Sequence, residues 1–413
     1  MGGSITGKDV VVRPWASLLI PDYSFLWIGG LFAATAAQMR QIVDLYQVYE
    51  LTGSPVQLGL TGLFQAAPFI IFGLVGGAMA DVMDRKKLIL ITQAISLVPA
   101  FILGILTALD LIQVWQIYAC TVLTSLVLAF GQPARMALIP KLVPETHLLN
   151  AVTLNTATQQ VTRLLGPVLA GFLIAILGVD IAYFATALLL APSFLTIFFI
   201  RSSGVPEGPS VLFNLATLWE GVQFIWIQRI ILSLFLLDFG ATIVGYYRPL
   251  LPIFAEDIYN VGASGLGWLY AAPAVGAIIG SSFLLIVGDV KRKGALAVVA
   301  ALCFGASLAF LGLAPWFWLS LIAVGVLGLT DAISVTLRRT VVQLLAPDQM
   351  RGRASGLLSN FAMGTNAFGA LLGGAAVGLL GLTEAFVLGS LLCIIIVLGI
   401  TLAMPQLWRY RSS

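Results

Sequence analysis

Charge is scarce in this sequence. Of 413 residues only 9% are Asp, Glu, Lys or Arg, while 60% are hydrophobic. So small a polar fraction cannot coat a soluble globule of this length. Histidine is rarer still: the single His147 falls in a predicted loop, which excludes a proton relay through an intramembrane histidine. The three cysteines, Cys120, Cys303 and Cys393, all fall within apolar runs, so no disulfide framework is expected and they leave the compartment open. No metal-ligand spacing, phosphate-binding glycine loop or nucleophile–base pair stands out. No metal or cofactor is therefore expected, the chain is not read as an enzyme, and ATP-driven pumping is disfavoured.

What the sequence has in abundance is apolar runs of membrane length. A hydrocarbon core of about 30 Å takes roughly 20 apolar residues in a helix. Such runs recur near 23–50, 56–80, 88–108, 113–134, 150–177, 181–200, 230–255, 265–287, 295–313, 316–338, 354–379 and 384–404, which predicts an all-α membrane protein of twelve spans. The first run carries Arg40 and Asp44 and lacks a small-residue cleavage pattern, so it is expected to stay as span one rather than leave as a signal peptide.

The cations sort by side. Of 21 Lys and Arg, all but Arg40, Arg163 and Arg248 fall in the N-terminal segment, in alternate loops or in the C-terminal segment, among them Arg85, Lys86, Lys87, Arg135, Lys141, Lys291, Arg292, Arg338 and Arg339. The intervening loops near Thr52, Asp110, Gly178, Asn260, Pro315 and Gly381 have none. By the positive-inside bias both termini are expected in the cytoplasm. The same placement explains the net charge of +3 without a nucleic-acid partner.

Sliding the chain by about half its length exposes a repeat. Gly62, Ala66, Ala67, Pro68, Asp84, Lys86 and Lys87 fall on Gly267, Ala271, Ala272, Pro273, Asp289, Lys291 and Arg292. Arg135, Leu142, Pro144, Glu145, Gly166 and Gly171 fall on Arg338, Leu345, Pro347, Asp348, Gly369 and Gly374. Two six-helix domains are expected, 1–200 and 230–413, joined by a cytoplasmic segment, 201–229, whose Ser, Gly, Pro and Glu residues precede an amphipathic stretch at 213–227.

Residues 77–87, Gly77, Ala78, Met79, Ala80, Asp81, Val82, Met83, Asp84, Arg85, Lys86 and Lys87, resemble the loop signature between spans two and three of the major facilitator superfamily. Asp84 replaces its usual Gly, a variant resembling the siderophore-exporter branch, to which enterobactin exporters and macrolide efflux proteins are similar. Thr52 to Pro55, Gln132 to Arg135 with Pro144 and Glu145, Arg163 to Pro167 with Gly171, and residues 347–352 extend the likeness over nearly the full chain. The resemblance implies two six-helix bundles rocking about a central cavity lined by helices one, two, four, five, seven, eight, ten and eleven. The ionisable residues away from the span ends, Arg40, Asp44, Arg163, Asp238, Arg248 and Asp331, fall on those helices, where an embedded charge faces the bundle interior or water.

Four groups of residues are candidates. Gly77, Asp81, Arg85 and Lys86 match the gating loop, Asp81 being placed to accept hydrogen bonds from the start of helix eleven when the inner gate closes; Asp289 and Arg292 are a degraded copy. Arg40 and Asp44 stand four apart on one helical face and read either as a structural pair or as a proton site, with Asp238, Asp331 and Arg163 as rival participants. Gly166, Pro167 and Gly171 resemble an abridged antiporter motif of helix five, and helix four lacks the embedded Arg of many proton-coupled exporters, with Arg163 as substitute. Tyr46, Tyr49, Gln65, Asn155, Gln159, Tyr246, Tyr247, Arg248, Tyr270, Asn360 and Asn366 are placed to contact a cargo or to bond helix to helix. The reading is a multi-pass inner-membrane exporter of a small amphipathic compound (drug, macrolide or siderophore-like), working as a monomer by proton antiport. An uncoupled or importing carrier of a lipid or metabolite is the alternative.

Overall fold

The computed structural model describes residues 15–205, 220, 223–288 and 290–410. Asp289, most of the stretch at 213–227 and the extreme termini lie outside the described residues. Among the described residues there is no strand; twelve long helices carry the chain: α1 (Pro21–Thr52), α2 (Pro55–Val82), α3 (Arg85–Ala108), α4 (Val114–Leu142), α5 (Glu145–Leu177), α6 (Val179–Phe198), α7 (Arg229–Gly245), α8 (Gly262–Val287), α9 (Lys293–Leu313), α10 (Phe317–Leu345), α11 (Asp348–Leu380) and α12 (Leu382–Ala403). Eleven of the described segments are long and apolar enough to cross a membrane. The other, α1, carries Asp22, Arg40, Asp44 and Glu50 in its 32 residues, and at 1.5 Å per residue it reaches about 48 Å.

Helix punctuation follows local chemistry. Pro21 and Pro55 open α1 and α2, where the missing N–H costs nothing. Asp84 is the N-cap of α3, accepting from the backbone N–H of Lys86 at 3.0 Å and of Lys87 at 3.3 Å, which accounts for an Asp in a position otherwise held by Gly. Gly178 between α5 and α6 and its repeat partner Gly381 between α11 and α12 both take a left-handed φ, 96° and 93°, open to residues without a Cβ. The seventh span is not one continuous helix. It ends at Gly245 and resumes as short turns from Arg248 to Ile258, because the ring of Pro249 cannot accommodate the carbonyl four residues back. Tyr246, Tyr247 and Arg248 sit at this break.

The two halves pack by the same scheme. In the first, α1 lies on α5 and α6, α2 on α4, and α3 on α4 and α6; in the second, α7 lies on α11 and α12, α8 on α10, and α9 on α10 and α12. Across the molecule α2 meets α11 and α5 meets α8. Helices α4 and α10 run past the predicted ends, through Arg135 and Arg338. The Arg135 guanidinium donates to the carbonyl of Leu26 on α1, so helix four does carry an Arg folded into the bundle, near its cation-rich end. Arg338 is 4% exposed, a core residue rather than a loop cation.

Candidate functional site

Arg40 and Asp44 form a closed polar centre inside the first half. Arg40 Nε lies 3.4 Å from Asp44 Oδ2, and Arg40 Nη1 donates to the hydroxyl of Thr124 on α4. Thr121, also on α4, donates to Asp44 Oδ2 at 3.3 Å, and Tyr183 on α6 donates to Oδ1 at 3.0 Å. Both charged side chains are buried. Both oxygens of Asp44 are thus bonded, from three helices in all, one of them the supporting helix α6, and Arg40 Nη2 has no partner among the described residues.

The second half holds a matching but differently wired centre. Asp238 on α7 pairs with Arg338 on α10, and Thr242 lies at hydrogen-bond distance from Asp238 Oδ1, 3.5 Å. Beside the pair a cavity of about 20 Å³, lined by Leu237, Asp238, Thr242, Phe304, Thr330 and Asp331, has room for about one water.

Asp331 is unlike the other two acids. It stands equidistant from both ends of α10, yet its side chain is exposed, so water reaches the middle of the membrane at this point. Arg248 at the break after α7 and Arg163 on α5 interact with it electrostatically, and Arg339 with Arg163. No ion pair joins these four among the described residues; the charges face one another across a gap wider than the roughly 4 Å of a salt bridge. Arg248 is held at its base, where Tyr270 donates to its carbonyl at 2.6 Å. On α5, exposed Thr156, Gln159 and Arg163 follow one helical stripe, while exposed Val161, Leu165, Phe172 and Ile176 follow the opposite one. A water-lined face and a lipid face account for the two stripes.

The cavity is closed at the cation-poor end. A Cβ on Gly171 would collide with the Ala263 carbonyl, and one on Gly374 would sit 2.5 Å from the Pro55 carbonyl, so α5 on α8 and α11 on α2 touch backbone to backbone. Gly166 and its repeat partner Gly369 do a different task, seating α5 on α1 at Gln38 and α11 on α7 at Tyr246. Tyr49 donates to Asp257, with Tyr46 near Glu256, drawing α1 onto the segment after α7. These two tyrosines therefore belong to the closed end and not to a cargo surface. At the cation-rich end the halves part. Gly77 and Gly356 meet nothing within 4 Å, and exposed Asp81 bonds no described residue. Arg85 reaches back to the carbonyls of Ala80 at 3.1 Å and Ala137 at 3.2 Å, and Lys86 to Phe198 at 3.1 Å and to Ile200. Arg292 precedes α9 as its N-cap. Gln65, Asn155, Asn360 and Asn366 are half-buried, Asn155 facing Met136 Sδ at 3.5 Å.

A family profile described as transmembrane secretion effector matches residues 12–410. The chain belongs to this family, within the major facilitator superfamily. The enterobactin exporter EntS of Shigella boydii serotype 18 is 28% identical over 396 residues, covering 95% of this chain and 94% of the relative; that of Escherichia coli O81 is also 28% identical with the same coverage. Among solved structures, a bacterial homologue of the human lysosomal transporter Spinster, inward-facing and unoccupied, matches with TM-score 0.72 at 15% identity, over 95% of this chain and 99% of that one. A peptide-transporter (POT family) complex with 5-aminolevulinic acid matches with TM-score 0.74 at 13% identity, over 93% and 96%. The major facilitator fold and a multi-pass inner-membrane location follow, and the relatives are transporters.

Within this major facilitator chain, sequence reasoning missed Thr121, Thr124 and Tyr183 around Asp44, Arg338 beside Asp238, and the acid–tyrosine closure at Glu256 and Asp257. The one available signal was the alignment of Arg338 with Arg135 in the repeat.

Proposed function

We propose that the protein exports a small amphipathic compound by alternating access, with its cycle coupled to protons carried by Asp331. The cation-rich end, by its charge bias, faces the cytoplasm, so the present state is open inward. The observation that carries the reading is the difference between the three embedded acids. Asp44 is bonded by Arg40, Thr121 and Tyr183 and Asp238 is paired with Arg338, whereas Asp331 is exposed and forms no ion pair among the described residues. A coupling acid has to meet water and cargo in turn, and Asp331 alone is placed to do so. Arg163, Arg248, Tyr246 and Tyr247 surround it and decide how readily it holds its proton. Separation of α2 from α11 and of α5 from α8 at the glycine contacts, with Asp81 engaging the start of α11, completes the opposite state; one chain suffices for the cycle.

Proteoliposomes with a pH-sensitive dye inside test this. Under an imposed gradient, catechol siderophores, macrolides or dyes are expected to move protons in the wild type and in Asp44→Glu but not in Asp331→Asn. Cargo movement with no proton flux in the wild type would instead assign an uncoupled or importing carrier.

A further inference from the structure

The charges of the central cavity do not balance. Two embedded pairs match acid with base, Arg40 with Asp44 and Arg338 with Asp238. At the middle of the membrane, Arg163 and Arg248 face the single carboxylate of Asp331. Arg339, about 12 Å further along α10 at 1.5 Å per residue, adds a third guanidinium within electrostatic reach of Arg163. Three positive charges against one negative leave two in excess. Arg163, Asp331 and Arg339 are exposed and none of the four forms an ion pair with a described residue, so the space between them is open.

An uncompensated cation in a low-dielectric cavity attracts an anion strongly, and a guanidinium presents forked N–H donors that match a carboxylate. Arg248 is also pre-positioned. Pro249 fixes the helix break beneath it and Tyr270 holds its carbonyl. Little ordering remains to be done when an acid group arrives.

We infer that the cargo binds as an anion, an amphipathic carboxylic acid whose carboxylate lies between Arg163 and Arg248 in competition with Asp331. The inference takes its direction of transport from the exporter reading above, while the charge of the site stands on the arginines. Competition supplies a physical link between cargo and proton: cargo anion and ionised Asp331 seek the same two guanidiniums, so each arrival of one favours the neutral form or the absence of the other.

The test uses a fluorescent pair differing only in charge, dansylglycine and dansylglycinamide, titrated against the purified full chain at neutral pH. The acid is expected to bind saturably and at least about tenfold tighter than the amide, a difference of about 1.4 kcal/mol. Arg163→Gln and Arg248→Gln are each expected to lose that preference, Arg248→Lys to keep part of it, and Asp331→Asn to raise acid affinity several-fold. A merely structural role for Asp331 predicts no gain. Equal affinity for the two probes, absence of saturable acid binding, or a preference that survives in both Gln variants overturns the inference. Inverted vesicles separate it from the export reading. Acid that binds but is not moved contradicts export and leaves the anion site standing; equal movement of acid and amide contradicts the anion site and leaves export standing.

Discussion

Asp44 and Asp331 are both acids at membrane depth, and their neighbours assign them opposite expectations. Removing the charge of Asp44 leaves Arg40 buried without a counter-ion, a loss of about 3–5 kcal/mol for a broken buried pair. Asp44→Asn is therefore expected to lower the thermal unfolding midpoint of the purified protein sharply. Tyr183→Phe, which removes one hydrogen bond to a charged acceptor, is expected to cost about 1.5–3 kcal/mol. Asp331→Asn removes no ion pair and is expected to leave the midpoint close to that of the wild type; a large drop would place Asp331 in the structural class with Asp44. At the other end of the first half, Asp84 caps α3 and stands where a Cβ on Gly204 would go. Gly204→Ala, whose Cβ would also meet the backbone N of Lys86, is accordingly expected to loosen the start of the linker, seen as faster proteolysis. Asp84→Ala alone should lose about 1 kcal/mol of cap. The i,i+4 spacing of Arg40 and Asp44 was legible in the sequence, but the groups that saturate Asp44 were not, because they arrive from α4 and α6 and no local pattern marks them.

At the scale of the helix, the paired glycines of α5 and α11 show how a repeat is read and how it falls short. Their positions were visible by sliding the chain on itself. What each one touches was not, since Gly166 faces α1 while Gly171, five residues on, faces α8 in the other half. Gly171→Ala and Gly374→Ala put a Cβ against a backbone carbonyl that cannot turn aside, and so are expected to push the halves apart at the cation-poor end. Cysteine labelling at Val56, next to the Gly374 contact, should rise in both. Unchanged labelling would mean that the contact yields by local adjustment. The break after Gly245 has a cause that the sequence displays, Pro249, yet span prediction ran through it because the residues on either side are equally apolar.

Across the whole molecule, closure at one end and separation at the other come from few side chains. Tyr49 bridges α1 to Asp257 in the segment after α7, with Tyr46 near Glu256. Removing a bridge found in only one state shifts the population toward the other state by the energy of that bridge. Tyr49→Phe is expected to raise the share of molecules open at the cation-poor end, measured by electron-spin distance distributions between labels on α2 and α11. A distribution identical to the wild type would make the tyrosine a packing residue. Asp81, exposed here, is expected to become protected in that second state.

Composition and periodicity alone determined the membrane class and the twelve spans and placed most of the embedded charges on their helices, because each follows from the cost of putting backbone and charge in lipid. The pairing of those charges was decided only by tertiary structure. Which acid is satisfied and which is left facing water depends on side chains brought together from α4, α6, α7 and α10, at distances along the chain that no window of sequence spans.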